Sequence, residues 1–167
     1  MKQLIGILAV ILIILAVGTS EIKNILFPLK FKADIIKFSK KYGIDPYLLT
    51  AIINIESGFT EVCYRKGKKS GIMQIREETA ERWIKEMKMK NFKVKDLGSP
   101  SISIKIGAWY LGQLKNKNND MYSILEGWVN RHAQDGYMYT QDIKKRYLNK
   151  IKLNLNMYKV IYIGMLR

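Results

Sequence analysis

Cysteine, histidine and proline are almost absent from this chain: one, one and three among 167 residues. A single thiol, Cys63, closes no intramolecular disulfide, and with only His132 beside it there is no ligand set for a structural zinc site, so stability must come from packing. Acid is scarce as well. Against 29 Lys+Arg stand 14 Asp+Glu, a formal net charge of +15. At 48% hydrophobic and 26% charged the composition fits one packed domain and excludes a disordered or Pro-rich linker protein. The surplus of base favours an anionic partner, whether nucleic acid, acidic lipid or an anionic wall polymer.

Charge is missing altogether from residues 3–20, and residues 4–17 are apolar or glycine without a break. At 1.5 Å per residue the uncharged stretch spans about 27 Å, close to the ~30 Å hydrocarbon core of a bilayer. Residues 1–20 are therefore expected to be an N-terminal membrane anchor or a signal peptide. Ala16 and Gly18 offer a small-x-small cleavage site, but the run is long for a signal, which favours retention. A membrane-directed N-terminus also argues against nucleic acid, for which no motif is present.

Beyond the anchor, residues 21–30 read as a juxtamembrane spacer and residues 154–167 as a short apolar tail that packs on the body. Between them strand signals are few, confined to residues 63–75 and the tail, while helical periodicity recurs. Ile35, Ile36, Phe38 and Tyr42 give one helix, closed by Gly43. Asp45 and Pro46 open a second as N-cap and first-turn residue, apolar nearly all round and ending near Ser57 and Gly58. Ala80, Trp83, Ile84 and Met87 stripe a third. Helices are also expected from Pro100, over 121–130, and from Thr140, the last with Ile143, Tyr147 and Ile151 on one face.

Glu56 is the only acid in the apolar stretch 47–59. Burial and the negative end of a helix dipole both disfavour a carboxylate's charged form, which suits a general acid working near neutrality. An ordinary carboxylate closing a helix end is the competing explanation.

The order of short motifs extends this. Glu56, Ser57, Gly58 and Phe59 are followed by Ser70 to Ile75 (SGIMQI), by Thr79 and Ala80, and by "IGAWYL" at 106–111. In this order they resemble the bacterial soluble lytic transglycosylase (SLT) domain family, over about residues 31–153. The resemblance implies an all-α fold in the α+β lysozyme-like superfamily: a compact helical lysozyme-like domain, here preceded by an N-terminal transmembrane helix. It implies cleavage of the glycosidic bond between N-acetylmuramic acid and N-acetylglucosamine in peptidoglycan, with a 1,6-anhydromuramyl product. It assigns Glu56 as the general acid and base, and Ser57, Gly71, Met73, Gln74, Asn130 and Tyr147 to substrate binding. Within it, Gly71 lets the backbone approach the glycan, Gln74 supplies amide hydrogen bonds, and Tyr147 directs its hydroxyl toward Glu56. No metal or cofactor is implied. The partners are peptidoglycan glycan strands, the cytoplasmic membrane through the N-terminal helix, and anionic wall polymers. The protein is expected to be single-pass, with its catalytic domain on the outer side, or secreted if residues 1–18 are removed.

Two stretches depart from the family pattern. Residues 76–80 lack the proline usual before the Thr-Ala pair, and "EGWVNRHAQDG" stands where "AYNAG" is expected. There Trp128 can replace the tyrosine, but Asn130 falls one residue late, and His132 reads as a solvated loop residue. Three competitors stay open: a hydrolytic muramidase resembling goose-type lysozymes, a catalytically silent peptidoglycan-binding scaffold of an envelope assembly, which that departure favours, and a cationic membrane-active toxin, which leaves the motif order unexplained.

Overall fold

The computed structural model describes residues 21–118 and 120–166. The expected membrane anchor over 1–20 lies outside the described residues, and among these no helix is long and apolar enough to cross a membrane. Residues 21–26 are helical. Six α-helices follow among the described residues: α1 (Lys32–Tyr42), α2 (Pro46–Ser57), α3 (Glu77–Glu86), α4 (Pro100–Lys117), α5 (Met121–Val129) and α6 (Gln141–Ile161). Short 3-10 turns occupy Val94–Gly98 and Ala133–Asp135. The domain is all-helical. In place of the strand expected within 63–75 stands one antiparallel bridge, Ser70 to Ile75.

Local chemistry sets the central helix. The Asp45 carboxylate accepts from the Tyr47 amide at 2.9 Å, Pro46 takes the first turn, and Gly58 closes the helix at φ 59°. From Leu48 to Ile53 every residue is buried, so α2 is wrapped on all sides. Burial of each large aliphatic side chain contributes ~1.5–3 kcal/mol. The one hydroxyl in that run, on Thr50, donates back to the Pro46 carbonyl at 2.7 Å and so is not left unsatisfied.

Helix α6 is the main partner of α2, and the two run antiparallel. Tyr47 donates to the Tyr162 carbonyl at 2.8 Å at one end, and Asn54 donates to Asn154 Oδ1 at 2.8 Å further along. The buried stripe of α6 is Leu148, Ile151, Leu155 and Tyr158. Ile143, expected on that face, is 46% exposed. Because the stripe recurs every three or four residues past 153, the helix continues to Ile161 through the region read as a tail. Residues 23–28 are held against the same end: Tyr158 donates to the Pro28 carbonyl at 2.7 Å and Tyr162 to the Phe27 carbonyl at 2.8 Å.

Candidate functional site

Glu56 occupies the last turn of α2, where its side chain is only 4% exposed. Three side chains from the C-terminal half of the chain converge on one oxygen, Oε1, two as hydrogen-bond donors and one as an ion pair. Trp128 on α5 donates its indole N–H at 2.9 Å, the Arg131 guanidinium stands at 2.7 Å, and Tyr147 on α6 donates its hydroxyl. Among the described residues none donates to Oε2, so the carboxyl group is anchored through one oxygen. Burial first, and then the Glu56 charge, push the Tyr147 phenol far above its ordinary value, which keeps it a protonated donor.

Arg131 itself is 2% exposed at its side chain, lies 4.3 Å above the centre of the Trp128 ring, and donates to the Trp128 carbonyl at 3.0 Å. Its Nε is buried with no partner among the described residues. Glu56 was expected in apolar surroundings; it stands instead in a buried ion pair with its remaining contacts aromatic. Arg131 is the site residue missing from the sequence reading. One signal for it existed: Trp128 and Arg131 are three residues apart at the end of a helix, the spacing that lets a guanidinium stack on a ring below it.

The loop over 70–75 is fastened to the end of α2 that carries Glu56. Ser57 Oγ donates to the Ile72 carbonyl at 2.9 Å, so this serine fastens the loop to the end of α2 and is turned inward. Gly71 has φ 69°, and a Cβ there would lie 2.2 Å from the Leu97 carbonyl oxygen and 2.5 Å from Ser103 Oγ. What presses on Gly71 is therefore the protein, not the space in which a glycan was expected to approach. Met73 is 0% exposed and fills the core against Gly107, whose added Cβ would meet the Met73 methyl at 2.5 Å. It lines no groove. Gln74, half-buried at φ 49°, turns its amide to donate to the Gly71 carbonyl at 2.9 Å. Asn130 caps α5 and lines a cavity of about 170 Å³ with Trp83, Tyr110 and Arg131, in whose wall Glu56 takes no part. The structure thus gathers Glu56, Ser57 and Tyr147, stacks Gly71, Met73 and Gln74 as their support, and leaves Asn130 off Glu56.

His132 departs from expectation more sharply. It is 1% exposed, its Nδ1 lies 2.8 Å from Thr79 Oγ1, and its Nε2 faces the Gln74 carbonyl at 3.3 Å. Since a carbonyl only accepts, Nε2 carries the proton. Thr79 donates its hydroxyl proton to Asp135, which pairs with Arg82 at 2.8 Å. Burial works against the Asp135 charge, but the Arg82 and Thr79 hydrogen bonds outweigh it and hold that carboxyl below its usual range. Burial first, and then the nearby Arg131 and Lys69 charges, pull His132 down to about 3.

This makes stability pH-dependent. Between an unfolded value of about 6.5 and the folded value of about 3, only the unfolded imidazole takes up a proton. The stabilisation is complete above about 6.5 and lost as pH falls toward 3, amounting to about 2 kcal/mol between pH 7 and pH 5. Urea unfolding at the two pH values should show that loss in the wild-type chain and little of it in His132→Gln; equal losses would mean that other groups carry it.

Comparison with known proteins places these features. The transglycosylase SLT domain family matches over residues 34–149. Membrane-bound lytic murein transglycosylase E of Buchnera aphidicola is 29% identical over 128 residues, covering 70% of this chain and 60% of that protein. Endo-type membrane-bound lytic murein transglycosylase A of Klebsiella pneumoniae is 37% identical over 82 residues, or 48% of this chain and 40% of that one. The matches thus span about half the length of these relatives. An inactive mutant of the lytic transglycosylase Slt from Pseudomonas aeruginosa shares the fold, with a TM-score of 0.69 at 19% identity over 82% of this chain and 25% of that chain.

Proposed function

The chain belongs to the transglycosylase SLT domain family, and from that we propose that it is a peptidoglycan lytic transglycosylase with Glu56 as its single acid and base. The observation that carries this is one buried carboxyl group tethered through Oε1 by Trp128, Arg131 and Tyr147. A hydrolase working with two carboxylates needs the second as nucleophile or as base for a water. Here the substrate's acetamido and C6 hydroxyl groups take those parts, and one protein acid suffices.

In this reading the Glu56 carboxylate takes up a proton on Oε2, the oxygen without a donor among the described residues, and passes it to the glycosidic oxygen as the C1–O4 bond breaks. The carboxylate so formed then accepts the proton of the muramyl C6 hydroxyl as that oxygen bonds to C1. Glu56 ends the cycle protonated, and no water is consumed. The indole and the phenol hold the carboxylate in place by hydrogen bonds, and the guanidinium holds it by an ion pair. Tyr147, hydrogen-bonded to Glu56, is the residue of the sequence-derived binding set in direct contact with the acid, and Gln74 lies in the loop fastened to the end of α2. Ser57, Gly71 and Met73 serve by shaping the loop that carries Gln74, and Asn130 by lining the adjoining cavity.

Residues 1–20 anchor this unit as a single pass with the catalytic body over 31–153 on the outer side of the cytoplasmic membrane, a reading supported by the uncharged stretch 3–20 and by the membrane-bound relatives. The net charge of +15 suits contact with anionic wall polymers. Mass spectrometry of purified peptidoglycan digested with the full chain in detergent tests the reaction. Anhydromuropeptides are expected. Reducing ends would identify a muramidase, and wall binding without release would identify a silent scaffold, the outcome that the Arg131 ion pair on Glu56 would then explain.

A further inference from the structure

The two ends of the described chain are docked together, and each carries exposed apolar side chains. In the helical segment 21–26, Ile22, Ile25 and Leu26 stand at i, i+3 and i+4 and are 58%, 73% and 56% exposed. At the end of α6 and just beyond it, Val160, Ile163 and Met165 are 74%, 80% and 45% exposed. The segments are locked together rather than merely close: Tyr162 donates to the Phe27 carbonyl at 2.8 Å, the Phe27 and Tyr158 rings meet edge to face at 5.6 Å, and Lys23 Nζ lies 4.3 Å over the Tyr162 ring. Large apolar side chains gathered in such numbers on a charged protein mark a contact surface.

What covers this face follows from the chain itself. The uncharged stretch 3–20 ends at the residue before Glu21, the first of the helical segment. A bilayer entered by residues 4–17 would begin five positions before Ile22, and the docking of residues 23–28 on α6 sets the end of that helix, with Val160 and Ile163, beside the same segment. Lys23, over the Tyr162 ring, and Lys159, at the end of α6 and paired with Asp45 at 3.1 Å, add positive charge that suits anionic headgroups. We propose that this face is a second membrane contact, in which the end of α6 and the turn after it sink their apolar side chains into the headgroup layer of the membrane that holds residues 1–20. The inference rests on the anchor reading above. Two attachments fix the body's orientation, which one tether would not. Tyr147 precedes Tyr162 by 15 residues of nearly continuous helix, so the Glu56 site stands about 22 Å along α6 from the membrane-facing end.

The experiment uses the full chain with its exposed thiol removed (Cys63→Ser) and a polarity-sensitive fluorophore at Ile163→Cys, reconstituted in phosphatidylcholine and phosphatidylglycerol vesicles. Met138→Cys is the control: it is 79% exposed but lies before the start of α6, at the opposite end of that helix. The Ile163 probe should be blue-shifted and quenched several-fold more strongly by shallow nitroxide lipids than the Met138 probe. Equal, weak quenching at both sites in a chain that floats with the vesicles would overturn the second contact while leaving the anchor intact. Protection of the Ile163 probe without lipid quenching would assign the face to a second copy and overturn it too. A chain that does not float would overturn the anchor and this contact together.

Discussion

Glu56→Gln is expected to lower anhydromuropeptide release by roughly 10²–10⁴-fold, the usual contribution of a positioned general acid. The amide keeps the shape of the carboxyl group and an oxygen for the Trp128 and Tyr147 donors, but it delivers no proton to a leaving oxygen and takes none from the C6 hydroxyl. The variant also leaves Arg131, 2% exposed at its side chain, without its anion. Thermal unfolding must therefore accompany the assay, at a temperature where the variant is fully folded. A folded Glu56→Gln chain that retains a tenth or more of wild-type release would remove Glu56 from the acid role.

Arg131→Met should be the most destabilising of the conservative substitutions around the site, by about 3–5 kcal/mol, because it strands a buried carboxylate beside neutral donors only. Methionine is close to arginine's stem in shape and can still cover the Trp128 ring, so little of that loss comes from packing. The double variant Glu56→Gln with Arg131→Met removes both charges and should recover most of the stability that either single change costs. Urea unfolding of the four proteins measures this coupling directly. If the two losses simply add, the 2.7 Å approach contributes nothing to folding, and Arg131 must be explained by its stacking on Trp128.

Which parts of this were readable beforehand depends on how far along the chain each determinant lies. The caps of α2 are local: Asp45, Pro46 and Gly58 act on backbone groups within a few residues, and they stand where the sequence placed them. Glu56 stood out because a lone acid in an apolar stretch needs no partner to be noticed. Tyr147 is bonded to Glu56 as the family resemblance led one to expect. His132 was misread because its neighbours, Thr79 and the Gln74 carbonyl, lie 53 and 58 residues away and no local pattern announces them. Arg131 escaped for a related reason. The unfamiliar "GWVNRH" drew attention to Asn130, the residue type the family leads one to seek, while the helix end turned the next residue onto the carboxylate. Gly71 and Met73 belong to the site's support rather than its surface, a distinction of facing direction that residue type does not encode.

Every partner of Glu56 Oε1 lies far downstream: Trp128 and Tyr147 follow it by 72 and 91 residues, and Arg131 falls between them. Such pairings close large loops and form late, after local helices have already appeared. A chain made from its N-terminus exposes Glu56 long before α6 exists to dock against α2. Until then the carboxyl group is a freely hydrated side chain with no fixed direction. The arrangement around Glu56 is thus tied to completion of folding, and an unfinished or unfolded chain lacks it.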